Sequence, residues 1–222
     1  MPAPELRLVL AVSLDGRLAP PAGGAAQIGG EGDRQVLEQA LAWADACLIG
    51  GRTLRLHGTT CVIRDPALQA QRRAAGRPLQ PAALVVSLSG EFDPELRFFA
   101  QPLQRWLLSP SGARPAGFDQ ALALAGGWPQ TLAALAAAGL QRLVLLGGAE
   151  LAGQLLQHQL VDELQLTLCP LLLGGAHHWL PADRLELSAE RWQLLEQRPL
   201  LGDELLLRYG RLRESAPVPP LP

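Results

Sequence analysis

Apolar positions along this chain change their period from one end to the other, and that change predicts the architecture. Leu6 to Val12 is an apolar run broken only by Arg7, as expected of a central strand buried on both faces. A Pro/Gly/Ala loop runs from Ala19 to Gly30. Asp33 then stands as N-cap of a helix reaching Ala44, with Val36, Leu37, Ala40, Leu41 and Ala44 on one face. Cys47 to Gly50 reads as the second strand, and Asp65-Pro66 opens a helix that Gly76 closes. Ala82 to Ser87 and Arg105 to Ser109 read as strands, Pro129 to Ala138 as a helix, Arg142 to Leu146 as a strand and Glu150 to His158 as a helix. Beyond that point Leu164, Leu166 and Leu168 alternate with Gln165 and Thr167, the period of a half-exposed strand. Arg191 to Gln197 and Glu204 to Tyr209 pair as a closing hairpin across Pro199 to Asp203. Alternating strand and helix followed by strand on strand gives an α/β fold. Its sheet is mixed, with a parallel core, an antiparallel C-terminal edge and helices on both faces.

Length and composition narrow the picture. A chain of 222 residues suits one domain burying roughly 70% of its unfolded surface. We expect residues 1–214 to form that domain and the half-proline stretch 215–222 to be a disordered tail. A net charge of −2 supplies no basic field for nucleic acid. All 19 basic residues are arginine, so lysine Schiff-base chemistry, a pyridoxal anchor and a P-loop lysine are excluded. The absence of asparagine excludes a Cys-His-Asn site. Cys47, Cys61 and Cys169 have no short pairing and no secretory signal precedes them, so they are expected as buried, reduced thiols in a cytoplasmic protein. No apolar run approaches the ~20 residues of a membrane span.

The candidate chemistry lies in the turns. Leu145-Leu-Gly-Gly-Ala-Glu-Leu-Ala-Gly153 puts two glycines between a strand and a helix, where bare amides and the helix dipole can hold an anion such as a pyrophosphate. It lacks the GxGxxG spacing. Gly50-Gly51-Arg52-Thr53 offers amides and a hydroxyl at another helix start, with Arg52 or Arg55 either pairing with a phosphate or standing solvated. Ser13-Leu-Asp-Gly-Arg17 places Asp15 just after the first strand, where it either bonds a ligand ring or makes an ordinary turn. Ser87-Leu-Ser89 and Ser109-Pro-Ser111 follow further strands. His177-His178 does not read as a metal site, because neighbours on a strand face opposite ways.

Taken together, these segments resemble the reductase domain of bacterial riboflavin biosynthesis proteins, which shares the dihydrofolate reductase fold. The resemblance runs from about Leu6 to Tyr209 and includes Val161-Asp-Glu-Leu164 and Pro170 to Gly175. It implies a three-layer αβα homodimer that reduces 5-amino-6-(5-phosphoribosylamino)uracil with NADPH. By the same resemblance, Gly147, Gly148, Ala149 and Leu151 would hold the cofactor pyrophosphate. Gly50 and Thr53 would hold cofactor phosphate, and Ser87 and Ser89 would meet the adenosine 2′-phosphate. Ser13, Asp15, Arg17, His57 and Arg64 would face the substrate, with Asp15, His57 and Glu31 the first candidates for a catalytic role. Three positions depart from the family pattern. His57 stands for an aspartate, Leu146 for the glutamate of Glu-Gly-Gly, and Gly29 for a serine or threonine. These departures keep two alternatives open: a reductase acting on a different pyrimidine or a pterin, and a non-catalytic nucleotide-binding relative.

Overall fold

The computed structural model describes residues 3–25, 27–180, 186 and 189–212. The tail expected at 215–222 lies outside them. Nine strands form one sheet: β1 (Glu5–Ser13), β2 (Ala46–Gly50), β3 (Ala82–Val86), β4 (Arg105–Ser109), β5 (Gln120–Ala123), β6 (Arg142–Leu145), β7 (Glu163–Cys169), β8 (Trp192–Pro199) and β9 (Leu205–Arg211). Their order is β5-β4-β3-β2-β6-β1-β7-β9-β8. β9 is antiparallel to both β7 and β8, whereas the pairings among β1 to β7 are parallel. The helices are α1 (Glu31–Trp43), α2 (Gly51–His57), α3 (Pro66–Ala74), α4 (Trp128–Ala137) and α5 (Ala149–Gln157). β5, overlapping the short Ala/Leu run Ala121 to Ala125, is not among the strands expected from the sequence.

The central strands bury both faces because their side chains alternate between two apolar layers. Leu6, Leu8, Leu48, Leu84, Leu143 and Leu145 pack with Leu132, Leu135, Ala152 and Leu155 of α4 and α5. Cys47, Ile49, Ala83 and Val85 turn the other way, onto Leu41 and Leu54 of α1 and α2. Val9 and Val144 meet Ala40 and Ala44 at the end of α1. Cys61, expected inside, is exposed instead, because it lies in the loop beyond α2 rather than on a strand.

Helix α1 corrects one expectation, and β7 a second. Its N-cap is Gly30, and Asp33 lies within the first turn. The capping carboxylate comes from far along the chain. Glu204, 3% exposed, accepts the Gly30 amide at 2.5 Å and the Asp33 amide at 2.7 Å. The opposite end is closed by two arginines. Arg72 donates to the carbonyls of Leu41, Ala42 and Ala44, and Arg77 to those of Ala42 and Trp43.

The second correction concerns β7. Its alternation is present, but the polar positions are the more buried ones: Glu163, Gln165 and Thr167 are 6%, 3% and 1% exposed. Each has a partner that makes this burial tolerable. Gln165 donates to Val36 O at 3.2 Å, tying β7 to α1. Glu163 receives Arg208 through two bonds of 2.6 and 3.1 Å and pairs with Arg7 at 3.0 Å. Arg7 in turn lies 4.2 Å over the Trp43 ring.

Candidate functional site

Parallel strands ending in glycine turns leave their carboxyl ends as a row of bare backbone, and open α/β sheets place ligands at that edge. Here the ends of β2, β3 and β6, with Val9 to Ala11 of β1, border one cleft of about 1530 Å³. That exceeds the roughly 300–1,000 Å³ of an ordinary small-molecule pocket and leaves room for two ligands. Gly50, Thr53, His57, Ser87, Ser89, Gly147, Gly148, Ala149 and Leu151, all singled out from the sequence, line it.

At its floor two turns touch. The Gly50 amide donates to Gly147 O at 3.1 Å, which holds the start of α2 against the start of α5. A Cβ at Gly148 would stand 2.9 Å from the Thr53 hydroxyl, and one at Gly51 would stand 2.9 Å from Ser87 Cβ. Glycine at these positions is therefore required by close approach. Gly147 has φ +96, and its peptide bond to Gly148 is cis. The outcome is a cradle of free amides, one hydroxyl and the N-terminus of α5, which suits a diphosphate.

One side of the cleft carries a charge whose role the sequence leaves open. Arg55 donates to Ser89 Oγ at 3.0 Å, Ser87 Oγ at 3.4 Å and Glu91 O at 2.7 Å, and its guanidinium lies 4.5 Å over the Phe92 ring. Position 55 follows the glycine turn by one helical turn, whereas the serines lie beyond β3, so no spacing along the chain joins them. Arg52 lies outermost, 88% exposed and 3.9 Å from Glu150. Such a pair contributes about 0–1 kcal/mol.

The expected substrate residues divide. His57 lines the cleft, and partial burial lowers its pKa, so the ring is neutral near pH 7. Ser13, Asp15, Arg17, Glu31 and Arg64 are not among the lining residues. Asp15 is engaged in the β1 turn. It accepts Ser13 Oγ at 2.6 Å, the Leu173 amide at 3.0 Å and the Gly174 amide at 2.7 Å. The Ser13 hydroxyl first, then these amides, hold its carboxyl well below the usual carboxylate range. Arg17 contacts His178 across a bridge from the neighbouring loop. Glu31 is exposed, and Arg64 is held through its backbone amide by Glu38 at 2.8 Å. Asp33, read from the sequence as a helix cap, does line the cleft. Burial first, and then the neighbouring Glu204 carboxylate, raise its pKa, against a hydrogen bond from Thr167. Among the described residues no group of three or more His, Cys, Asp or Glu could hold a metal ion, and no helix is long and apolar enough to cross a membrane.

Known proteins resemble this chain in sequence and fold. The chain is 26% identical over 218 residues to the 2,5-diamino-6-ribosylamino-4(3H)-pyrimidinone 5′-phosphate reductase of Methanothermobacter thermautotrophicus, covering 93% of this chain and 97% of that protein. A pyrimidine reductase-like protein from Corynebacterium diphtheriae has the same fold, with a TM-score of 0.78 at 24% identity, over 95% of this chain and 93% of that one. Dihydrofolate reductase from Enterococcus faecalis, solved with NADP(H), matches with a TM-score of 0.55 at 14% identity, over 93% and 96% of the two chains, so the fold is dihydrofolate reductase-like. The model of one family, the RibD C-terminal domain, matches residues 4–203, and the chain belongs to that family.

Proposed function

We propose that this protein is an NADPH-dependent reductase of riboflavin biosynthesis. It reduces the ribosyl group of 5-amino-6-(5-phosphoribosylamino)uracil, or of the 2-amino counterpart, to a ribityl chain. The observation that carries this reading is the meeting of the Gly50-Gly51 and Gly147-Gly148 turns on the floor of a cleft large enough for a dinucleotide and a second ligand.

NADPH, when bound, supplies the hydride that adds to C1′ of the open-chain imine form of the substrate. The chain supplies binding and orientation. Amides at Gly148 and Ala149, with the Thr53 hydroxyl and the positive end of α5, would hold the diphosphate. Arg55, Ser87 and Ser89 would hold the adenosine 2′-phosphate, because a guanidinium flanked by hydroxyls complements a phosphate dianion. The apolar edge at Val9, Leu10 and Leu146 would keep water from the reacting carbon. The proton that joins the nitrogen as C1′ is reduced comes from solvent. We further propose a homodimer, in keeping with the resemblance.

The test mixes purified protein with NADPH and the deaminated pyrimidine and follows the absorbance of reduced nicotinamide. Trp128 lines the cleft, so quenching of its fluorescence reports cofactor binding separately. Consumption of NADPH with formation of the ribityl product supports the reading. Tight NADPH binding with neither pyrimidine reduced would refute it in favour of a non-catalytic relative.

A further inference from the structure

The arginines gathered at the C-terminal end of α1 carry more charge than their partners answer. Arg72 and Arg77 both donate to the Ala42 and Ala44 carbonyls, so the two guanidinium groups lie side by side. Arg142 joins them through Asp45, whose Oδ1 accepts from Arg77 at 2.8 Å and from Arg142 at 3.3 Å. Asp45 Oδ2 accepts the amides of Gln141 and Arg142 at 2.9 and 2.8 Å, so this carboxylate is fully engaged. A helix C-terminus adds about half a negative charge, which still leaves more than one positive charge unneutralised. Burial first, and then the Arg77 charge, hold the Arg72 pKa down to about 10, and Asp45 offsets only part of that shift.

That charge borders a cavity of about 430 Å³ at the amino ends of β2 and β3, where Asp45 precedes one strand and Ala82 begins the other. The cavity shares no lining residue with the cleft, and the length of β2, roughly 16 Å, separates them. Arg72, 2% exposed, lines it. Its Nε donates to Pro78 O at 2.7 Å and its Nη1 to three carbonyls, but its Nη2 has no acceptor among the described residues. Nη2 is not sealed in protein either, and the cavity is the space it opens on. Arg77 also lines the cavity, and its Nε likewise lacks an acceptor among the described residues. The rest of the wall is largely apolar, with Pro78, Leu79, Pro102, Leu103 and Leu140 around the charged floor.

We propose that this cavity is a second binding site, which takes a small organic carboxylate with its head group on Arg72 and Arg77 and its apolar body against Pro78, Leu79, Pro102 and Leu103. The one-sided distribution of donors selects this class. A carboxylate beside the paired guanidinium groups accepts their free N–H donors in charge-assisted bonds and relieves the repulsion between two adjacent cations. Inorganic phosphate spreads its charge over four oxygens and needs donors on several sides, whereas the far wall here is apolar. A neutral ligand of the same shape leaves the excess charge in place. The volume lies within the roughly 300–1,000 Å³ of ordinary small-molecule sites. The site uses no residue of the cleft, so it stands independently of the reductase reading.

The test uses benzoate as the probe, with acetate, inorganic phosphate and neutral benzamide beside it, and follows the Tm of the full chain as each is titrated. Benzoate should bind with a Kd on the order of 0.1–1 mM and, at twentyfold excess over Kd, raise Tm by about 4–7 °C. Acetate, phosphate and benzamide should each bind at least roughly tenfold more weakly. Benzamide equal to benzoate would show that the arginines read no charge, and acetate equal to benzoate that the apolar wall plays no part. Either result overturns the inference, as does a tighter phosphate. Arg72→Ala strips the end of α1 as well as the site, so the decisive variant lies at the rim. Leu79, 37% exposed, can be exchanged without opening the core. Leu79→Asp sets a carboxylate at the mouth of the cavity and should weaken benzoate roughly tenfold or more while its own Tm stays near that of wild type. Benzoate affinity unchanged in Leu79→Asp overturns the inference. So does loss of the benzoate shift under saturating NADPH, which would move the probe to the cleft.

Discussion

The two halves of the sheet solve burial in opposite ways. Strands β1 to β4 and β6 carry almost nothing but apolar side chains into the two layers, and the glycine turns at their ends form the proposed cofactor cradle. Strands β7 and β9 bury Glu163, Gln165, Thr167 and the adjoining Glu204 under α1, and this polar layer fixes Asp33. The apolar half tolerates exchange of similar hydrophobes, whereas in the polar half each group depends on a named partner. A scaffold that holds a constant cofactor needs only shape.

The contrast between the halves is widest at Glu163. Glu163→Ala leaves Arg7 and Arg208 without their shared carboxylate and should cost about 3–5 kcal/mol in denaturant unfolding. A loss below about 1 kcal/mol would mean that the polar layer behaves like the apolar one. Glu204→Ala removes two charge-assisted bonds from the start of α1 and should cost about 2–3 kcal/mol by the same measurement, with a fall in α1 helicity. In the other half the expected effects are on binding rather than stability. Gly148→Ala drives a methyl to 2.9 Å from the Thr53 hydroxyl and should weaken NADPH binding roughly 10- to 100-fold in fluorescence titration, with little change in Tm. Arg55→Ala should weaken NADPH about tenfold while leaving NADH unchanged, and an equal loss for both would remove Arg55 from the 2′-phosphate. The smallest effect concerns pH. Burial raises the Asp33 pKa above 3.8, so the folded state holds that proton more tightly than the unfolded state does. Wild-type stability should therefore decline as pH rises from 3.8 through the folded-state value. Asp33→Asn should remove that decline and keep or raise Tm near neutrality, whereas a purely structural role would lower it.

Much of the architecture is legible in the sequence because the apolar half follows local rules. Unbroken apolar runs such as Leu6 to Val12 and turns such as Leu146-Gly-Gly-Ala149 need no distant information. The polar half is not legible in that way. The period-two pattern at Leu164 to Leu168 predicts the correct strand, but which set lies deeper depends on α1, whose start is capped by a residue 174 positions further on. Asp33 looks like a cap because Asp before an apolar helix usually is one. Nothing nearby reveals that Glu204 has taken that role and freed Asp33 to face the cleft. Arg55 stays ambiguous for the same reason, since its partners Ser87 and Ser89 lie 32 and 34 residues away and meet it only across the β2–β3 pairing.

The clasp between Glu204 and Gly30 has a consequence for the order of events during synthesis. An early helix is finished at its leading end by Glu204, which lies just before β9, and β1 pairs with β6 and β7, which also emerge well after it. Folding dominated by such distant contacts is slow. The nascent chain should therefore carry an uncapped α1 and an unpaired first strand until the closing hairpin arrives, and translation pauses before that point would prolong its exposure to aggregation.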